Sequence, residues 1–163
     1  MRLSIFHDAR SRGVLSAVSA ALEKTYGLET RETLEKAPLD KALNTRRRQF
    51  NASILLSTLA KEAHRPFLWI LSSDIYVKGM NFVFGVALFG VGAVLSTYRL
   101  DSLDLVRKEA IHEMGHVLGL SHCENECVMQ FSNSVAEAKM KPSKLCSKCK
   151  NKLEKMLSSL SFD

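Results

Sequence analysis

The 163-residue chain is predicted to be an α+β protein, a mixed, mostly parallel twisted sheet flanked by helices. Three observations carry that prediction. Strand-like and helix-like patterns alternate through the first half, the order that lays helices on a sheet. The apolar run from Phe82 to Ser96, broken by Gly85, Gly90 and Gly92, reads as two strands turning near Phe89-Gly90-Val91-Gly92. Two strongly patterned helices occupy the last third.

Taken in order, Leu3-Ser4-Ile5-Phe6 alternates as a strand. Val14, Leu15, Val18, Ala21 and Leu22 mark a helix ending at Gly27, and residues 28–34 fit a second strand. Phe50, Ile54, Leu55 and Leu59 mark a second helix, after which Pro66 introduces a strand from Phe67 to Leu71. Beyond the strand pair, Leu103, Val106, Ala110, Met114 and Val117 form the apolar stripe of a further helix. Asp101 and Asp104 place negative charge at its start, where the helix dipole favours it. After a loop, Leu153, Met156, Leu157 and Leu160 define a C-terminal helix. No repeat or low-complexity linker divides the sequence. Residues 1–163 are therefore expected to form one domain, 1–100 as its sheet-and-helix half and 101–163 as the half that carries the polar motifs.

Composition excludes some classes. The run from Phe82 to Ser96 is too short to span a bilayer. No apolar region follows Met1-Arg2, so no signal peptide is expected, and the reading is cytoplasmic, where thiols stay reduced. The formal charge is +6, with basic residues clustered at Arg46-Arg47-Arg48 and lysines concentrated after Lys139. No aromatic residues interleave with those lysines, which disfavours nucleic acid as a partner.

The informative stretch is His112-Glu113-Met114-Gly115-His116-Val117-Leu118-Gly119-Leu120-Ser121-His122-Cys123. In a helix, His112 and His116 leave one face a turn apart, nearly opposite the apolar stripe. Glu113 is rotated by about 100° from His112, beside a shared metal rather than on it. There it can accept a proton from an activated water. Gly119 can adopt the positive φ that ends the helix and reverses the chain, which returns His122 as a third ligand. Three protein ligands leave one position open, the arrangement of a catalytic zinc. The five-residue core alone is only moderately specific; Gly119 and His122 make the pattern sharp.

All four cysteines follow, as Cys123-x3-Cys127, eighteen residues, then Cys146-x2-Cys149, close to the spacing of a structural zinc site with four thiolates. A redox reading of Cys146-Ser147-Lys148-Cys149 is disfavoured, since no strand precedes it and a matching pair lies upstream. Lys144, Lys148 and Lys150 would offset the negative charge of such a centre. Because His122 and Cys123 are consecutive, a metal on Cys123 also positions a ligand of the other metal. A competing arrangement combines His122 with three cysteines in one mixed site.

The run His112 to Cys123, with Cys127-Val128-Met129 and Cys146-x2-Cys149, resembles the archaemetzincins, zinc peptidases of the metzincin group. Asp74-Ile75-Tyr76 and the segment Gly79 to Gly85 also resemble that family. The family often has four residues between the first two cysteines, where this chain has three. The resemblance implies a metzincin-like fold with active-site helix, zinc-bound loop and C-terminal helix, and two zinc ions per chain. It implies His112, His116 and His122 as catalytic zinc ligands, Glu113 as general base and the four cysteines as structural ligands. It also implies Met129 as the apolar Met-turn support beneath the catalytic metal, and substrate extended along the strand near Asn81 to Ala87. Phe131, just after the turn at Met129, is a candidate for the substrate pocket, with a plain core aromatic as the other reading.

The expected activity is therefore hydrolysis of a peptide or protein substrate by metal-activated water. The alternative is a non-catalytic zinc protein that binds a peptide or nucleic acid, for which Glu113 would have no use. Hydrolysis of a non-peptide amide by the same chemistry is a third reading.

Overall fold

The structure is a computed structural model that describes residues 1–160. Its main sheet contains five strands in the order β2-β1-β5-β8-β7. These are β1 (Arg2–His7), β2 (Glu29–Glu35), β5 (Phe67–Leu71), β7 (Gly85–Leu88) and β8 (Gly92–Ser96). The β1–β2, β1–β5 and β5–β8 pairings are parallel, and β7 alone runs antiparallel at one edge. The predicted mixed, mostly parallel sheet is thus what forms. The turn expected near Phe89–Gly92 joins β7 to β8, with Leu88 opposite Gly92.

Period-2 alternation divides the core into two layers. Leu3, Ile5, Leu68, Ile70, Ala93 and Leu95 face α1 (Leu15–Tyr26) and α3 (Leu103–Val117). Phe6, Phe67, Trp69, Leu71 and Val94 face α2 (Ala52–Leu59). Covered on both sides, β5 has no exposed residue, which explains its unbroken apolar run Phe67-Leu68-Trp69-Ile70-Leu71.

Helix ends follow local chemistry. Gly27 closes α1 at φ 69°, in the left-handed region that an L side chain enters only at a cost. Ser102, not the neighbouring acids, caps α3 by accepting from the Leu105 N–H at 3.2 Å, while Asp104 lies in the first turn as expected. At the other end, the Leu120 N–H reaches back to the Gly115 carbonyl at 2.9 Å with Gly119 at φ 107°. This is the chain reversal the sequence predicts.

Three expectations need correction. Phe50 is not helical: it lies in β4 (Gln49–Asn51), paired with β3 (Leu43–Asn44) and β6 (Ile75–Tyr76) in a small second sheet. Strands of two or three residues carry no readable period, and the true cap of α2 is Asn51, which accepts from the Ile54 N–H. Leu103 heads the apolar stripe of α3 yet is exposed, while Leu105 and Val106 in the same turn are the residues that enter the core. The loop after α3 also contains an unforeseen helix, α4 (Val135–Met140), although Ser134-x-x-Glu137 is a capping pattern that marks its start. The C-terminal helix, α5 (Ser147–Leu160), buries Leu153 and half-buries Met156 and Leu157; the side chain of Leu160 lies outside the described residues. Among the described residues, no helix is long and apolar enough to cross a membrane.

Candidate metal centres

The ligating nitrogens of His112, His116 and His122 lie within 4.8 Å of one another. The Nε2 atoms of His112 and His116 are 3.2 Å apart. Their other nitrogens are engaged: His112 Nδ1 meets the Val128 carbonyl at 2.8 Å, and His116 Nδ1 meets the Leu120 carbonyl at 2.8 Å. A backbone acceptor at Nδ1 fixes the proton there and leaves Nε2 free to ligate, the pairing that metal-bound imidazoles show. The three rings converge, His122 standing 5.4 Å from His112 and 4.7 Å from His116 between centroids. Burial, with help from the Lys141 cation, pushes His112 down to about 3; burial also lowers His116 and His122. All three favour the neutral form that a metal requires.

Glu113 is buried beside them and lines the same cleft of about 310 Å³. Burial, with Glu109 adding repulsion, raises its carboxyl to about 8. A divalent cation alongside favours the carboxylate and opposes that rise. One cleft wall runs from Phe82 to Ala87, the other from Phe131 to Asn133. Phe131 is half exposed with its ring 5.1 Å from that of His122, so it is not a plain core aromatic.

The four sulfur atoms form a second cluster, also within 4.8 Å of one another. His122 is grouped with the other histidines, not with the cysteines as a mixed site would need. Cys127 and Cys149 are buried, Cys123 and Cys146 half-buried. The Cys149 N–H pointing at Cys146 draws that thiol down to about 6, and the Asn125 amide assists. Burial instead raises Cys127 and Cys149, so a cation is needed before all four can be thiolates together.

One tripeptide serves both clusters. Cys127 Sγ accepts from the N–H groups of Cys146 at 3.3 Å and Met129 at 3.5 Å. The Val128 carbonyl orients His112, and the Met129 carbonyl accepts from the Cys123 N–H at 3.0 Å. Met129 is fully buried against Gly115: a Cβ on that glycine would stand 2.5 Å from Met129 Sδ and 2.8 Å from the Tyr26 hydroxyl. Only a glycine between the two helix histidines lets the loop come this close.

Sequence reasoning missed three supports. Lys141 Nζ lies 3.0 Å from Glu109 Oε1 and 3.3 Å from His112 Nδ1, with both charged side chains almost fully buried. Losing either partner alone would strand a buried charge at about 3–5 kcal/mol. Neither residue has a sequence signal, because the pair joins α3 to the residue just after α4. Tyr26, held neutral by burial, donates to the Ile111 carbonyl at 2.6 Å and fixes α1 to the histidine helix. Gly85 faces Glu113, and a Cβ there would lie 2.7 Å from Glu113 Cγ and 2.8 Å from the Val94 carbonyl.

The basic cluster Arg46-Arg47-Arg48 is also partly structural. Arg47 stacks over Tyr76 at 3.9 Å and donates to the carbonyls of Met80 and Asn81. Arg99 pairs with Asp74 at 2.8 and 3.0 Å and lies over Phe82. Together they brace the segment leading into the cleft wall.

Comparison with known proteins agrees with this geometry. The profile of peptidase family M54 matches residues 13–155. Archaemetzincin from Nanoarchaeum equitans is 48% identical over 109 residues, covering 66% of this chain and 64% of that protein. Archaemetzincin from Pyrococcus abyssi is 40% identical over 152 residues, covering 81% of each. The crystal structure of archaemetzincin from Archaeoglobus fulgidus, complexed with malonate, superposes with a TM-score of 0.87 at 38% identity, over 93% of this chain and 99% of that one. That from Methanopyrus kandleri gives 0.88 at 32% identity, over 97% and 96%. The chain belongs to peptidase family M54, the archaemetzincin group of zinc metallopeptidases.

Proposed function

We propose that residues 1–163 act as one peptidase domain holding two zinc ions, a catalytic one on His112, His116 and His122 and a structural one on Cys123, Cys127, Cys146 and Cys149. The observation that carries this reading is the convergence of three neutral imidazoles beside a buried carboxylate in an open cleft. A zinc ion there supplies Lewis acidity, polarising a carbonyl and lowering the pKa of water towards about 7. Glu113 takes the proton of the attacking water and passes it to the departing amide nitrogen. Because Gly85 has no Cβ, β7 can lie directly against the Glu113 side chain. No tyrosine lies between Tyr98 and the cleft wall at Phe131–Asn133, so a tyrosine hydroxyl from the Met129 turn does not assist the oxyanion.

Substrate binds extended along β7, whose outer edge pairs with no other strand of the sheet among the described residues. An extended peptide added to such an edge gains main-chain hydrogen bonds. The strand begins at Gly85 rather than Asn81, which narrows the expected binding segment. Phe131 faces it across the cleft and contacts substrate side chains near the scissile bond.

The primary test is zinc per chain, by elemental analysis, in wild type and His116→Ala purified without added metal. About two zincs falling to about one supports separate sites. One zinc in both, even after zinc is supplied, overturns the two-metal reading.

A second test uses Gly85→Ala. The added methyl must displace Glu113 or the β8 backbone, and misplacing a catalytic group by about 1 Å costs about 10²-fold. Turnover of a peptide library should fall by that order with zinc content unchanged. Wild-type turnover would mean the Glu113 position does not limit the reaction.

A further inference from the structure

A groove of about 1050 Å³, larger than the cleft, lies on the reverse of α3. It is formed by α1, α3, residues 141–145 and α5. Ala17, Ala21, Ile111, Leu145, Leu153 and Leu157 give it an apolar floor. We propose that this groove docks an acidic, amphipathic segment of a partner protein.

Charge is the first argument. Of the cations lining the groove, three are already committed. Arg107 pairs with Asp104, Lys141 with Glu109, and Lys108 donates to the carbonyls of Ala138, Lys139 and Lys141. Lys24, Lys144 and Lys150 have no carboxylate within ion-pair distance among the described residues. They come from α1, the 141–145 segment and α5, and all three are exposed on the rim. Three separate elements thus bring free positive charge around one apolar recess, with Glu154 as the only carboxylate there, among the described residues, besides the paired Asp104.

Shape and chemistry choose among anionic occupants. The volume lies at the upper end of small-molecule pockets, roughly 300–1,000 Å³, and no convergent set of buried polar groups would orient a small ligand. Nucleic acid would need stacking surfaces, yet the one aromatic lining residue among the described residues, Tyr26, is buried with its hydroxyl bonded to the Ile111 carbonyl. A membrane-binding face presents apolar side chains outward, whereas this floor is recessed. A peptide with apolar residues on one side and carboxylates on the other satisfies floor and rim together. Charge balance for the thiolates is the ordinary role of lysines near the cysteines, but Lys24 lies on α1 and Lys148 does not line the groove. An occupant here rests against Ile111 and Lys141 behind the histidines and leaves the cleft free.

The test is fluorescence anisotropy with a fluorescein-labelled peptide of roughly a dozen residues, leucines at helical spacing among glutamates, against a scrambled peptide of equal composition. Binding is read without turnover, so the result is independent of the peptidase reading. The triple variant Lys24→Glu/Lys144→Glu/Lys150→Glu should weaken binding at least about tenfold. Lys148→Glu should change it less than about twofold, as befits a charge outside the groove. Ala20→Trp, on the exposed lining of α1, should weaken binding with every charge kept. A lysine-for-glutamate version of the peptide should regain affinity for the triple variant, which also shows that the variant is folded. Equal binding of the scrambled peptide, or equal losses in Lys148→Glu and the triple variant, would reduce the effect to bulk charge and overturn the proposal. So would tighter, groove-dependent binding of duplex DNA or of phosphatidylserine vesicles.

Discussion

Glu113→Gln is expected to lower peptide turnover by about 10²–10⁴-fold, the range over which a positioned proton acceptor contributes. Zinc content should stay at the wild-type value. The substitution keeps shape and removes basicity. This matters because Glu113 stands so close to Gly85 that even a Cβ there would collide with it, and an isostere fills the same space. The histidine rings are oriented by the carbonyls of Val128 and Leu120, not by Glu113, so the metal-binding geometry is untouched. Stability should not fall either. Burial disfavours the Glu113 carboxylate, and a neutral amide escapes that penalty as well as the repulsion from Glu109. The measurements are kcat on a peptide library, elemental zinc and Tm. Wild-type turnover with full zinc would remove Glu113 from proton transfer and leave the non-catalytic zinc protein as the better account.

That prediction could be framed from sequence because the relevant signals are local. His112, Glu113 and His116 share one helix, and Gly119 and His122 follow within a single turn. The sheet was readable for a similar reason: β1, β5 and β8 carry long apolar or alternating runs whose period survives in a short window. Elements of two or three residues have no period, so β3, β4 and β6 leave no signal and the apolar Phe50 blends with the helical spacing that follows it. The supports of the site were hidden more deeply. Lys141 and Glu109 meet only because α4 returns the chain to α3, and a buried lysine looks like any surface lysine in a list of residues. Gly85 and Gly115 are small because Glu113 and Met129 stand against them, which spacing does not express. The ligands are legible as a motif; the geometry that holds them depends on contacts between residues far apart in sequence.

Cys146→Ser puts that dependence to a direct test. The first effect is loss of one sulfur ligand from the cysteine cluster. Cys146 is the most acidic of its thiols where the Cys149 N–H points at it, so the change removes the ligand best prepared to be a thiolate. The structural zinc should be lost or bound far more weakly. The second effect reaches the histidines. Cys127 Sγ is held by the N–H groups of Cys146 and Met129, and its neighbour Val128 supplies the carbonyl that orients His112. Met129 in turn anchors the Cys123 N–H, and Cys123 is bonded to His122. Loosening the cysteine cluster therefore slackens two ligands of the other centre at once. Removing such outer support typically costs 10–100-fold in metal affinity, about 1.4–2.7 kcal/mol. Competition with a zinc chelator should show that loss at the histidine site, although Cys146 belongs to the other cluster. Lys148→Ser, which changes the same turn of α5 without touching a sulfur, should leave it unchanged. A variant that loses structural zinc yet binds the second zinc with wild-type affinity would show two independent centres. The shared tripeptide would then be a packing convenience rather than a mechanical link.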